Sequence, residues 1–284
     1  MYLKTQFDHN FMLTDSDLAS YLNRIGYTDT LDISFDTLSK LNFLHATTIP
    51  FENLNPILKK PVPIDIKSVV HKIVFEKRGG YCFEQNTLFY HVLKKIGFDV
   101  NPLFARVIWN MPEYVITPLT HLFLKVNLDN TTFLVDVGFG AQSLSQPIPF
   151  SFDNEHQTTN ETIRIIEKNS FLIMQTKLKS VWKSMYKFSL QEAFFEDFEV
   201  ANWYTSTHPN HIFTNQLMMA IIAVDGRHTL NNKHYSKYDL EGNIFNSSAK
   251  TIEELKLLIT QIFKIDLPDY ENLDEQLEVI MMKP

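Results

Sequence analysis

The stretch "HLFLKVNLDNTTFLVDVGFG", residues 121–140, carries two apolar-rich arms on either side of Asp129-Asn130. Both arms have the period of two expected of strands, and an Asp-Asn pair suits a two-residue hairpin turn. That turn pairs Leu128 with Thr131. Counting back, Phe123 pairs with Asp136 and His121 with Gly138. Side chains alternate between faces, so His121 and Asp136 share one face as diagonal neighbours. Such neighbours sit roughly 7–8 Å apart at the backbone, within reach of a His–carboxylate hydrogen bond. A slip of one residue would put them on opposite faces.

Upstream, "KRGGYCFEQN", residues 77–86, holds Cys82, the only cysteine in the chain. Leu88, Val92, Leu93 and Ile96 give the following stretch an apolar helical stripe, and Gly97 caps its end, so a helix is expected from Cys82 to about Ile96. A free thiol has a pKa near 8.5 and is mostly protonated at neutral pH. Unpaired N–H groups at a helix start and a nearby imidazolium both favour the thiolate. Gly79 and Gly80 can take backbone angles closed to other residues, which suits a sharp turn presenting the thiol. On these residues alone two readings stand. Cys82 is a nucleophile served by His121 and Asp136, or it is a small buried apolar residue beside a satisfied strand histidine and a turn-capping aspartate.

Farther out, three more helices precede Cys82. "DSDLASYLNRIGY" opens with acidic N-cap candidates and stops at Gly26. "SFDTLSKLNFLHATTI" stops before Pro50. "DIKSVVHKIVFEKRGG" is ended by the glycine pair. From about residue 99 the period is two, in "LFARVIW", the hairpin, "TIRIIEK" and "SFLIMQT". After about residue 200 the pattern is mixed. "MMAIIAVDGRHTL" and "KHYSKYDL" look like short strands, and "TIEELKLLITQIFKI" is a helix with a Thr251–Glu254 capping box. Helices, then strands, then a mixed end give the class α+β. The units expected are 1–98, 99–200 and 201–284.

The whole chain has 284 residues, 44% hydrophobic and 21% charged, which is ordinary for a globular protein too long for one small core. Its 23 Phe, 11 Tyr and 3 Trp suit a Phe-rich core with rings to spare for a flat apolar ligand. The net charge of -7 argues against nucleic acid as a partner. No run of 18 apolar residues suggests a membrane span. The opening "MYLKTQFDHNFMLTDSD" has an Asp and no sustained apolar core, so it is not expected to be a secretory signal. With a single cysteine and no export signal, the reducing cytoplasm is the expected location.

These residues resemble the arylamine N-acetyltransferase family. "RGGYCFEQN" is similar to its nucleophile segment, and His121 and "VDVGFG" match its His and Asp in order and approximate spacing. "TIPFENLNP" (48–56) resembles its N-terminal signature and "NWYTSTHPNHIF" (202–213) the segment after its central domain. "YLNRIGY" and "DGRHTL" match more weakly. Gln85 stands where many members carry Leu, and "LHATTIPF" replaces a more usual basic stretch.

The resemblance implies a papain-like cysteine-enzyme fold with an N-terminal helical bundle, a central β-barrel and a C-terminal α/β lid. It implies acetyl transfer from acetyl-CoA, through a catalytic Cys82–His121–Asp136 triad, to an arylamine, arylhydrazine or N-hydroxyarylamine, with no metal. Matched positions suggest Phe139, Ala141 and Ser143 for the acceptor, and Thr117, Gly138 and Gly140 for CoA. Arg78 and Glu52 are expected to be structural, as an ion pair or loop anchor, and His208 to be a capped turn residue. An amide synthase of the same family, or a thiol hydrolase, peptidase or transglutaminase, would use the same triad.

Overall fold

A computed structural model describes residues 12–283. Residues 1–11, most of the stretch read above as no secretory signal, lie outside it. The described chain opens with α1 (Asp15–Ile25) and α2 (Phe35–Thr48), followed by the two-residue strand β1 (Phe51–Glu52), the short α3 (Leu54–Ile57) and α4 (Ile66–Val70). The cap of α1 is Thr14 rather than an acidic residue: its hydroxyl accepts the Asp17 N–H, and the Asp17 carboxylate reaches back to Thr14. The third helix continues from α4 as π-type turns over His71–Phe75 and stops short of the glycine pair expected to end it. Lys77, at φ 49°, makes the turn instead.

Helix α5 runs from Cys82 to Ile96 and closes on Gly97 in the left-handed conformation. Its side chains Leu88, Phe89, Val92 and Leu93 are fully buried. Each contributes about 1.5–3 kcal/mol of transfer free energy. The first two turns are buried all round, not on one stripe, because Phe104 and Phe198 cover Phe83 while Glu84, Gln85 and Asn86 meet polar partners from the other helices and the hairpin.

Eight antiparallel strands follow: β2 (Asp99–Val107), β3 (His121–Leu128), β4 (Thr131–Val135), β5 (Ile148–Pro149), β6 (His156–Gln157), β7 (Thr162–Lys168), β8 (Phe171–Leu178) and β9 (Val181–Glu192). They form one sheet in the order β5-β4-β3-β2-β9-β8-β7-β6, curled so that Leu103, Phe123, Leu134, Ile165, Met174 and Phe188 share a single interior core. The opposite faces of β2, β3 and β4, carrying Val100, Leu124, Val126 and Val135, pack on α5. Asp129 and Asn130 turn the β3–β4 hairpin at φ 48° and 61°, and Leu128 pairs with Thr131 as counted from the sequence. Two positive φ values match the type I′ turn that suits a twisted hairpin.

Helices α6 (Phe195–Thr207) and α7 (Ile212–Asn215) lead into β10 (Met218–Ala223), β11 (Gly226–Asn231), β12 (His234–Tyr238) and β13 (Ile244–Ser248), then α8 (Ile252–Leu257) and α9 (Leu273–Met281). Thr251 caps α8 by accepting the Glu254 N–H, but the Glu254 carboxylate takes the N–H of Lys250, one residue earlier than a capping box requires. The second sheet has the order β1-β10-β11-β12-β13. Early residues belong to it: β1 is its edge strand, and Leu54, Ile57 and Leu58 join the core of α8 and α9. The strand β1, which bridges to Gly80 in the loop before Cys82, is therefore part of the C-terminal sheet.

Candidate active site

Cys82 is the first residue of α5, and the loop before it is held from several sides. The Gly80 N–H donates to the Pro50 carbonyl (3.3 Å) and its own carbonyl accepts the Glu52 N–H (3.1 Å). Neither Gly79 nor Gly80 has a positive φ, so the sharp turn expected of them is absent. They are needed for close approach. A Cβ on Gly79 would lie 2.0 Å from the Pro50 oxygen, and one on Gly80 would lie 2.8 Å from the Glu84 side chain.

Beneath this loop lies a buried ionic cluster. Arg78 donates to Glu52 from Nε (3.1 Å) and Nη2 (2.7 Å), and to Asn55 (3.1 Å). Lys72 bridges Glu52 (3.3 Å) and Glu84 (2.6 Å), while Glu84 accepts the Tyr81 N–H at the helix start (3.1 Å). Burial alone would raise the Glu52 pKa, but Arg78 and then Lys72 hold it down at about 2. Glu84 goes the other way, raised by burial against the pull of Lys72. Arg78 and Glu52 are thus the expected ion pair. Lys72 and Glu84 carried no signal apart from an ordinary helical charge pattern.

A second, neutral chain meets the loop from α2. Gln85 donates to the Gly80 carbonyl (2.6 Å) and accepts from His45 Nε2 (3.2 Å), and His45 Nδ1 accepts from the Tyr21 hydroxyl (2.9 Å). Burial lowers the His45 pKa to about 3, so the ring is neutral. The polar residue at position 85 is fully buried but fully partnered.

The hairpin brings its two residues together. His121 Nε2 donates to Asp136 Oδ2 at 2.7 Å, with both side chains buried. Asp136 Oδ1 accepts the Gly138 N–H (3.0 Å) and Asn86 Nδ2 (3.1 Å). Asn86, one turn after Cys82, also donates to the Leu122 carbonyl (2.8 Å) and accepts the Val137 N–H (3.2 Å). It therefore ties the Cys82 helix to both arms of the hairpin. Its i, i+4 spacing puts it on the same side of the helix as Cys82, though the spacing alone does not mark it as a partner of the hairpin. Gly138 completes the seat: a Cβ there would lie 2.7 Å from Cys82 Cα and 2.8 Å from Asn86 Nδ2.

Since Nε2 is taken by Asp136, Nδ1 is the nitrogen left for the thiol. The Cys82 Sγ lies 3.6 Å from the carbonyl of Thr120, the residue before His121. Burial works to lower the His121 pKa, but the Asp136 charge and hydrogen bond, helped by Cys82, raise it to about 10. The ring is an imidazolium at neutral pH. Three aromatics surround it: Phe139 edge-on at 4.9 Å, Tyr186 at 5.0 Å and Phe123 stacked at 6.1 Å. Tyr186 sits on β9, where Lys and Ser interrupt the apolar alternation that would mark a strand in the sequence. Burial and the neighbouring Asp136 raise its pKa well above the ordinary value, so it stays a phenol.

Of the other expected positions, Phe139 lies against His121. It leads into a 3-10 turn, Gly140–Gln142, whose Gly140 has φ 77° and faces the Phe51 ring, with Ala141 half-buried in the turn. Ser143 is buried at the end of the turn, its N–H on the Gly140 carbonyl (3.1 Å). Thr117 lies in the loop between β2 and β3, its hydroxyl donating to the Val107 carbonyl (2.8 Å) and its carbonyl held by Arg106. His208 caps the end of α6, accepting the Asn210 N–H (3.3 Å). Among the described residues, no group of three or more His, Cys, Asp or Glu side chains could hold a metal ion, and no helix is long and apolar enough to cross a membrane.

A family model described as N-acetyltransferase matches residues 34–272. The chain belongs to the arylamine N-acetyltransferase family. An arylamine N-acetyltransferase of Mycobacterium tuberculosis (strain ATCC 25618 / H37Rv) is 37% identical over 221 residues, covering 76% of this chain and 78% of its own. One from Escherichia coli (strain K12) is 32% identical over 256 residues, covering 90% and 91%. The family fold is shared too. The solved arylamine N-acetyltransferase structure from M. tuberculosis superposes with a TM-score of 0.88 at 31% identity, over 92% of this chain and 99% of that one. The Mycobacterium marinum enzyme solved in complex with CoA gives 0.88 at 30%, over 93% and 99%.

Proposed function

We propose that this protein transfers an acetyl group from acetyl-CoA to an arylamine, arylhydrazine or N-hydroxyarylamine through an acetyl-Cys82 intermediate. The observation that carries this reading is the hydrogen bond from His121 Nε2 to Asp136 at 2.7 Å, which leaves a positively charged imidazole facing a thiol at a helix start. In the first half-reaction the Cys82 sulfur attacks the thioester carbonyl. A carbon–sulfur bond to Cys82 forms, the bond to CoA breaks, and the departing thiolate takes a proton from His121. In the second, the amine attacks the acetyl-cysteine. As its carbon–nitrogen bond forms, it gives a proton to the now neutral His121, and Cys82 leaves as thiolate. Asp136 keeps the ring oriented and stabilises its charged form. The Cys82 N–H, at the positive end of α5, is the candidate donor to the developing oxyanion.

Phe139, with Ala141 and Ser143 beyond it, is proposed to wall the acceptor, and Thr117, Gly138 and Gly140 to lie along the path of the donor. The cytoplasm suits a chain whose nucleophile must stay a reduced thiol. Steady-state velocities test the scheme: varying acetyl-CoA at several arylamine concentrations should give parallel double-reciprocal lines. Intersecting lines would mean direct transfer in a ternary complex.

A further inference from the structure

The turn that follows Phe139 is tied to the C-terminal sheet by one buried side chain. Arg227, on β11, is almost wholly buried. Its Nη1 donates to the Gln142 Oε1 at 2.6 Å and its Nη2 to Glu161 Oε2, just ahead of β7. Glu161 is itself buried, and its other oxygen accepts the N–H (2.9 Å) and hydroxyl (3.1 Å) of Ser145. One guanidinium–carboxylate pair therefore fixes the segment after Asp136 at Gln142 and Ser145. Between these anchors and Asp136 sits Phe139, edge-on to His121.

A planar guanidinium can hold a carboxylate and an amide oxygen at once, which a lysine ammonium on one flexible stem does poorly. A lid anchor could have been apolar, as the nearby contact of Gly140 with Phe51 is. A buried charge pair costs desolvation that apolar packing avoids, and its best-supported use is to fix one arrangement among several.

We propose that Arg227 is a positioning residue for the acceptor: held by Glu161, it sets the turn at residues 139–142 against His121 where the aromatic amine must sit. The inference rests on the acetyl-transfer reading above. It places a specificity-setting contact in the C-terminal sheet, remote in sequence from the triad.

The test uses the full chain with Gln142→Leu, Gln142→Glu and Arg227→Lys. Two readouts are separated: single-turnover release of CoA from acetyl-CoA, and steady-state turnover with an aniline acceptor at saturating donor. Gln142→Leu should raise the acceptor KM about tenfold, the worth of one charge-assisted hydrogen bond, and slow CoA release at saturating acetyl-CoA far less. Gln142→Glu keeps an acceptor oxygen for the guanidinium and should behave like the parent. Arg227→Lys retains the charge opposite Glu161 and should mimic Gln142→Leu, and the double variant should be no worse than either single one, since both break the same contact. An acceptor KM that does not move, effects that multiply, or equal losses in both half-reactions would overturn the proposal. Absence of CoA release from the parent protein is a different result: it would remove the acetyl-transfer reading, and this inference with it.

Discussion

Replacing Asp136 by Asn keeps the shape of the side chain and removes its charge. The two carboxylate oxygens now serve three donors: His121 Nε2 on one, Gly138 N and Asn86 Nδ2 on the other. An Asn offers one oxygen and one NH2. Turning the NH2 toward Gly138 and Asn86 would oppose donors to donors at two buried contacts, so the favoured rotamer points it at His121. His121 must then accept at Nε2, and its single proton moves to Nδ1, facing the thiol. That is the wrong tautomer to take the proton of the Cys82 thiol before it attacks acetyl-CoA, and the ring loses the charge that holds its pKa at about 10. The lost charge-assisted bond alone is worth roughly 1.5–3 kcal/mol. Together with the wrong tautomer the expected loss in CoA release is on the order of 10³–10⁴, by the measure of other triads. Since Gly138 and Asn86 keep their partner, the fold should survive, with an unchanged circular dichroism spectrum. Rapid-mixing measurement of CoA release checks this. A variant that folds and still releases CoA at near the parent rate would refute the reasoning, and one that fails to fold would make Asp136 structural first.

Phe139→Ala should weaken acceptor binding by about 1–3 kcal/mol, the value of a desolvated ring, and slow CoA release far less; turnover with an aniline and release of CoA, measured separately, decide it, and equal losses would make the ring core packing only. Asn86→Ala leaves the Leu122 carbonyl and the Val137 N–H without their partner. It should lower the urea midpoint by the equivalent of about 3 kcal/mol, and an unmoved midpoint would mean the helix and hairpin are joined by other contacts. His45 sets a pH dependence of stability. Its folded pKa of about 3 lies below the ordinary value of 6.5, so its contribution is complete above pH 6.5 and is lost as the pH falls toward 3. Between pH 6.5 and 5 the loss from this residue is about 2 kcal/mol. His91 and His211, each lowered to about 4, act in the same direction, while His121, raised to about 10, stays protonated in the folded state and works weakly the other way as its unfolded ring finishes protonating. Urea unfolding of parent and His45→Gln at both pH values should show a shallower fall in the variant, and identical slopes would show that His45 is not the titrating group.

The site was most legible where local chemistry fixes geometry. Two turn residues set the β3–β4 register, and from it the facing of His121 and Asp136 followed by counting. The helix Cys82–Ile96 declared its apolar stripe and its C-terminal glycine. What remained hidden depends on contacts distant in sequence. Asn86 is an unremarkable polar residue until the hairpin docks on it, and Gly79 and Gly80 look like turn formers until the Pro50 carbonyl arrives above them. β9 carries Lys and Ser among its apolar residues, so its alternation is broken, and Tyr186 went unseen with it. The recruitment of β1 to the C-terminal sheet, across more than 160 residues of chain, left no trace in periodicity.

The central claim is that Cys82 carries the acetyl group between donor and acceptor. The protein is incubated with acetyl-CoA and no amine, then digested and mapped by mass spectrometry. The account predicts one acetyl group on Cys82, absent from Cys82→Ser as a thioester and discharged when an arylamine is added. An unmodified Cys82, or an acetyl-cysteine that arylamines leave in place, would contradict it.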